Sequence, residues 1–130
     1  MDTLHTASFT DALLHQHLDD SNDSDLDALG FGVIAFDREG IVRRYNSFES
    51  KASGLSLQRV LGSSLFDVVA PCMNNFLVAQ RFEDALVESV KLDGTIDYVL
   101  TFRMRPVKVQ LRLLSAPDRA MRYVLVLRTL

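Results

Sequence analysis

The chain has 130 residues, 48% hydrophobic and 24% charged, which suits one globular domain able to bury its own core. Its single cysteine excludes an internal disulfide and suits a reducing compartment, and no stretch approaches the eighteen or so apolar residues of a membrane-spanning helix. A net charge of −3 argues against nucleic acid as a direct partner, and Met1-Asp2 lacks a cationic secretory lead, so a cytoplasmic location away from membranes is expected.

The charge is unevenly spread. Residues 1–30 hold seven aspartates (Asp2, Asp11, Asp19, Asp20, Asp23, Asp25 and Asp27) and no Lys or Arg, while the rest holds 14 basic and 10 acidic groups. Such a skew marks either a solvated tail or a segment that docks on the remainder. Leu4, Phe9, Leu13, Leu14 and His17 form a rough helical stripe, which predicts a short amphipathic helix in the first eighteen residues. The aspartates at 19–27 are dense enough for a calcium loop but lack its sixth-position glycine and closing glutamate, so an acidic linker ending in a helical turn is expected. His15 and His17, two apart, would point to different sides of a helix, which argues against a metal pair.

Residues 31–36 are a compact apolar run ending at Asp37-Arg38-Glu39-Gly40, the pattern of a strand entering a tight turn, with 41–46 as its hairpin partner. Two short helical pieces follow, at 48–54 and 56–61, each stopped by a glycine (Gly54, Gly62). Pro71 is expected to end a local helix over 65–70 and to leave Cys72 on an irregular segment. Phe76, Ala79, Phe82, Leu86 and Val90 share one stripe of a longer helix that Asp93-Gly94 should stop. From Thr95 the period becomes two, with Ile96, Tyr98, Leu100, Phe102 and Met104 on one face and Arg103 and Arg105 on the other. Val107, Val109, Leu111 and Leu113 repeat the pattern, and 122–128 supply the last strand. The order predicts an α+β fold: a five-stranded antiparallel sheet with helices on one face.

One stretch carries chemistry. Tyr45, Glu49 and Ser53 fall at i, i+4 and i+8, so helical turns would bring their polar tips to one side. The thiol of Cys72 lies downstream of an apolar run (Leu65-Phe66-Asp67-Val68-Val69). A phenol, a carboxyl and a hydroxyl beside a thiol are an odd set for a plain core, because each buried polar group needs a partner. Taken singly the residues have plainer readings: a lone buried Cys is usually a small hydrophobe, and Tyr45 or Glu49 could sit at the surface. Cysteine–histidine catalysis is poorly supported, since His5, His15 and His17 all lie in the N-terminal segment, so an enzyme is not expected.

The combination Tyr45-Asn46-x-x-Glu49-x-x-x-Ser53-Gly54, then Val60-x-Gly62 and Val69-Ala70-Pro71-Cys72, closely resembles the photoactive yellow protein family of PAS-fold blue-light receptors. The match runs without a gap over residues 31–82 and, after one inserted residue, to 128. The resemblance implies a p-coumaric acid chromophore, held as a 4-hydroxycinnamoyl thioester on Cys72. It implies that Tyr45 and Glu49 donate hydrogen bonds to the phenolate oxygen, that Ser53 orients Tyr45, and that Phe102 and Met104 form part of the pocket wall. A buried phenolate needs strong donors to keep its charge, and Glu49 must be neutral to be one. Where the family has an arginine lid after the Ser/Thr-Gly pair, this chain has Leu55, which makes the lid apolar.

The resemblance also implies a sensory protein that acts on a downstream signalling partner, as a monomer or weak dimer. Residues 1–28 are expected to form an acidic cap on the outer face of the sheet, and residues 29–130 the PAS domain. In that arrangement Phe9 and Leu13 would give apolar contact, and the aspartates would face Arg103, Arg105, Lys108 and Arg112. The competing readings are a PAS interaction or ligand-sensing module without chromophore, and a thiol-based redox sensor.

Overall fold

The computed structural model of the chain describes residues 7–101 and 105–128. Among these, five strands form one antiparallel sheet: β1 (Gly32–Phe36), β2 (Val42–Tyr45), β3 (Leu92–Leu100), β4 (Val107–Ser115) and β5 (Arg122–Arg128). Their spatial order is β2-β1-β5-β4-β3. The first and last strands of the chain therefore meet at the centre, with Gly32 opposite Val126 and Ile34 opposite Val124. Every residue of β1 is buried, as its apolar run requires, because both faces of the sheet are covered.

The two covers come from different parts of the chain. On one face lie α3 (Ser47–Ser53), α4 (Leu57–Val60), a π-helical turn (Leu65–Val69), a 3₁₀ turn (Pro71–Met73) and α5 (Ala79–Glu88). They enclose a core that includes Ile34, Phe36, Tyr45, Phe82, Leu111 and Val124. On the other face lie α1 (Leu14–Asp20) and α2 (Asp23–Asp27). Phe9, Leu14, Leu18 and Leu26 pack there against Phe31, Val33, Leu114, Tyr123 and Leu125. Successive residues of β5 feed alternate cores, as the two-residue period of a strand dictates.

The N-terminal segment thus covers the outer face as expected, but through other residues. Phe9 is buried, whereas Leu13 is 57% exposed and Leu14 and Leu18, one helical turn apart, take the inward positions. Arg112 places its guanidinium on Asp93, with both bonds at 2.9 Å, and on the backbone carbonyls of Phe9 and Asp11. The aspartates find other partners: Asp19 binds Arg119 and the Tyr123 hydroxyl, and Asp23 lies 3.4 Å from Arg44. Arg105 and Lys108 are exposed, and Arg103 lies outside the described residues.

Two further expectations shift. Of the helical stripe assigned to 76–90 only Phe82 is fully buried; Ala79 and Leu86 are half-buried, and Phe76 is 79% and Val90 46% exposed. α5 ends at Ser89, which takes a left-handed conformation (φ 53°), and Gly94 lies inside β3, not at a helix stop. Cys72 sits in a regular 3₁₀ turn begun by Pro71, whose fixed φ and missing N–H suit a first helical position.

Candidate chromophore site

Asn46 organises the site. Its side chain is fully used: Oδ1 accepts from the N–H groups of Val33 and Glu49, and Nδ2 donates to the carbonyls of Leu26 and Phe31. One buried amide thereby caps α3, pins it to β1 and holds the end of α2. α3 then runs to Gly54, which closes it in a left-handed conformation (φ 80°) that a side chain would disfavour.

Glu49 and Ser53 lie one turn apart on the buried side of α3. Tyr45 does not share that helix; it closes β2, and Asn46 separates strand from helix. Its phenol nevertheless reaches Ser53, with 2.7 Å between hydroxyl oxygens. Ser53 Oγ also accepts from the N–H of Leu55 at 3.1 Å, so Tyr45, Ser53 and the start of the Leu55 loop form one hydrogen-bonded unit. Burial, opposed by Ser53, pushes the Tyr45 phenol up to about 12, so it is a donor across the accessible pH range.

Glu49 is fully buried, and its carboxyl meets a partner absent from the sequence-based site. Arg128, at the end of β5, donates from both terminal nitrogens, at 2.7 Å to Oε1 and 3.0 Å to Oε2. The side chain lies across Gly32, where a Cβ would come within 1.9 Å of Glu49 Oε1. Gly32 is therefore required for close approach of the carboxyl to the strand. Burial pushes the Glu49 carboxyl above the usual carboxylate range, against the pull of Arg128. In the described geometry Glu49 is paired with Arg128.

Cys72 is half-buried and free, and packs with Leu55 and Phe66 against the core that contains Tyr45. Its carbonyl accepts from the Tyr98 hydroxyl and, at 3.3 Å, from Asn75 Nδ2, which also donates to the Tyr98 oxygen at 2.7 Å. Asn75 Oδ1 in turn accepts from the N–H groups of Leu77 and Val78. The turn carrying the thiol is therefore braced to β3 and to the start of α5. Leu55 is half-buried on the same core. Phe102 and Met104, expected in the pocket wall, lie outside the described residues.

The donor set suits a phenol-bearing thioester: a half-buried thiol, a phenol held by Ser53, and a fully buried carboxyl that burial pushes upward while Arg128 pairs with it. Sequence reasoning did not find Arg128, Gly32, Tyr98 or Asn75 as site residues. For Arg128 a signal existed, since it follows Val124 and Val126 at the strand period and so points a charge to the core side.

The PAS fold family profile matches residues 26–129. The photoactive yellow protein of Rhodothalassium salexigens is 32% identical over 97 residues, covering 75% of this chain and 77% of the relative. That of Halochromatium salexigens is 31% identical over 103 residues, covering 79% and 82%. Among solved structures, the photoactive yellow protein domain of the sensor histidine kinase Ppr from Rhodospirillum centenum gives a TM-score of 0.78 at 36% identity, covering 85% of this chain and 96% of that domain. With this sheet order, these helices and this agreement in sequence, the chain belongs to the photoactive yellow protein family of the PAS fold.

Proposed function

We propose that the protein is a blue-light receptor, not an enzyme, that carries a p-coumaroyl group as a thioester on Cys72. The observation that carries this reading is the Tyr45–Ser53 hydrogen bond beside a fully buried Glu49, in the core that also holds the sole thiol. The group, when bound, supplies blue-light absorption and a double bond whose isomerisation moves its phenolate oxygen. Tyr45, fixed by Ser53, donates its O–H to that oxygen. Glu49, in its neutral form, would donate its carboxyl O–H to the same oxygen and would be the acid able to pass it that proton. Leu55 and Phe66 keep water from the core side of Cys72, where a dry surrounding strengthens both hydrogen bonds.

The output element in this reading is the N-terminal segment, held on the outer sheet face and displaced when Glu49 changes charge. An ionised carboxyl in the core costs several kcal/mol unless compensated, enough to release a locally stable element. The downstream component is a signalling protein; in the Rhodospirillum centenum relative the domain belongs to a sensor histidine kinase. We place the receptor in the cytoplasm, consistent with its unpaired thiol. Among the described residues no helix is long and apolar enough to cross a membrane.

A second reading, a PAS interaction or ligand-sensing module without chromophore, draws support from Arg128, which already satisfies Glu49. One experiment separates them. Treating the folded protein with an activated p-coumaric derivative should give a visible band and a mass gain of one p-coumaroyl group, both lost in Cys72→Ala. In the reaction the thiolate sulfur bonds to the activated carbonyl carbon and the activating group leaves. No band and no mass gain in folded protein would end the photoreceptor reading.

A further inference from the structure

Every charged group in the candidate site has a role in the reading above except Arg128, yet Arg128 makes the closest contacts to the essential carboxyl. We propose that Arg128 is the switchable counter-ion of Glu49: it grips the carboxylate in the chromophore-free protein and releases it when Glu49 takes up a proton to hold a phenolate. The second half rests on the photoreceptor reading; the first does not.

The argument starts from an asymmetry in burial. Glu49 is wholly enclosed, so its carboxyl must be either paired or protonated. The Arg128 side chain keeps 17% of its surface in contact with solvent, so its guanidinium retains water when the carboxyl departs. Only one partner therefore loses its place when the pair opens, and that partner is the one able to gain a proton. The grip is two-pronged, 2.7 and 3.0 Å to separate oxygens, the geometry in which arginine holds a carboxylate most strongly. The titratable or charged groups facing the carboxyl are Arg128 from β5 and Tyr45 from β2. From β1 comes the side-chain-free backbone at Gly32, and from its own helix the Glu49 N–H is already committed to Asn46. No second carboxylate is paired with Arg128 among the described residues.

Two consequences follow. Placing a phenolate beside Glu49 moves one proton: the phenol loses it as it ionises, and a carboxyl oxygen of Glu49 gains one, directly or through solvent, while Arg128 stays protonated throughout. When that proton is later given up, the resulting carboxylate has a counter-charge waiting at the end of β5. Arg128 thereby reduces the penalty of the charged state, and with it the driving force for rearrangement.

The test begins with the chromophore-free protein. Infrared pH titration would follow the Glu49 carboxyl band, assigned by its absence in Glu49→Gln. Arg128→Gln should raise its midpoint by about one pH unit or more, and Arg128→Lys, which keeps the charge without the two-pronged grip, should fall between. Equal midpoints in wild type and Arg128→Gln would overturn the assignment. If circular dichroism shows Arg128→Gln unfolded, Arg128→Lys is read alone: a raised midpoint supports the proposal and an unchanged one overturns it. The second arm measures proton exchange in weak buffer on acylation with activated p-coumarate. Wild type should take up about one proton more than Glu49→Gln, a difference that shrinks in Arg128→Gln. Acylation without that difference overturns the switch. A shifted titration in a wild-type protein that cannot be acylated upholds the counter-ion and overturns only the photoreceptor reading.

Discussion

At Glu49, burial and ion pairing act in opposite directions, and burial prevails: the carboxyl sits above its ordinary 4.5 despite Arg128. The sign of its contribution to stability follows by linkage. A carboxyl with a raised folded-state value stabilises the fold fully below the unfolded value, and that contribution is lost as pH rises through the folded value. The difference in unfolding free energy between wild type and Glu49→Gln should therefore fall as pH is raised from about 4.5 through the Glu49 midpoint, then level off. Urea midpoints for both proteins across pH would show it, and a difference that rises with pH would contradict the raised value. In the acylated protein, on the proposed reading, Glu49→Gln should shift the phenolate band and remove a carboxylic C=O signal lost on illumination in wild type. Asp93 behaves in the opposite sense, because its bonds to Arg112 hold its carboxyl below the usual range. Tyr45, Glu49, Ser53 and Cys72 were singled out in the sequence as a candidate set by the family motif that their types and spacing carry. Arg128 was not, because it lies 79 residues from Glu49 and only the closing of the sheet brings β5 beside β1.

The elements around the site depend on a few fully used polar side chains. Asn46 joins α2, β1 and α3 through four hydrogen bonds. Asn46→Ala should lose a helix cap and leave the Phe31 carbonyl and the Val33 and Glu49 N–H groups short of partners, costing about 2–4 kcal/mol by denaturant unfolding. A cost under about 0.5 kcal/mol, the range of ordinary surface changes, would show that water replaces the amide. Arg112 does the same for the N-terminal segment, tying the carbonyls of Phe9 and Asp11 to β4. The sequence predicted that this segment docks, from its apolar stripe and its charge, but chose Leu13 over Leu14 and Leu18. The helix begins later than its pattern suggests: residues 9–13 form turns, and Asp11 accepts from the N–H of Leu13, so the inward face is set one residue on. Phe76 misled for a related reason. A stripe can be drawn through it, but Asn75 bonds the N–H groups of Leu77 and Val78, and α5 starts only at Ala79.

For the molecule as a whole, the sheet separates a helix-covered core that holds the candidate site from a second core under the N-terminal segment. The seal of the second core should be sensitive to acid. His15 is buried on it, 2.9 Å from the Met121 carbonyl and edge-on to Tyr123, and burial pushes its imidazole below the ordinary 6.5. A histidine lowered in this way stabilises the folded form above its unfolded value, and that contribution is lost as pH falls through the folded value. Hydrogen exchange of the α1 amides, corrected for intrinsic rates, should therefore accelerate between about pH 7 and pH 5, and less so in His15→Asn. Protection that is constant over that range would rule out His15 as the cause. The α+β order, the alternation of the later strands, the helix stop at Gly54 and the residue types of the candidate site all follow from patterns along the chain. These are local matters, set by periodicity, turn chemistry and side-chain functional groups within a few residues. The closing of the fold is what sets β5 between β1 and β4, lays the Glu49 carboxyl over Gly32 and against Arg128, and gives Arg112 Asp93 and two N-terminal carbonyls as partners. Those pairings depend on where distant segments meet, and a charge takes whichever partner the closed sheet leaves within reach.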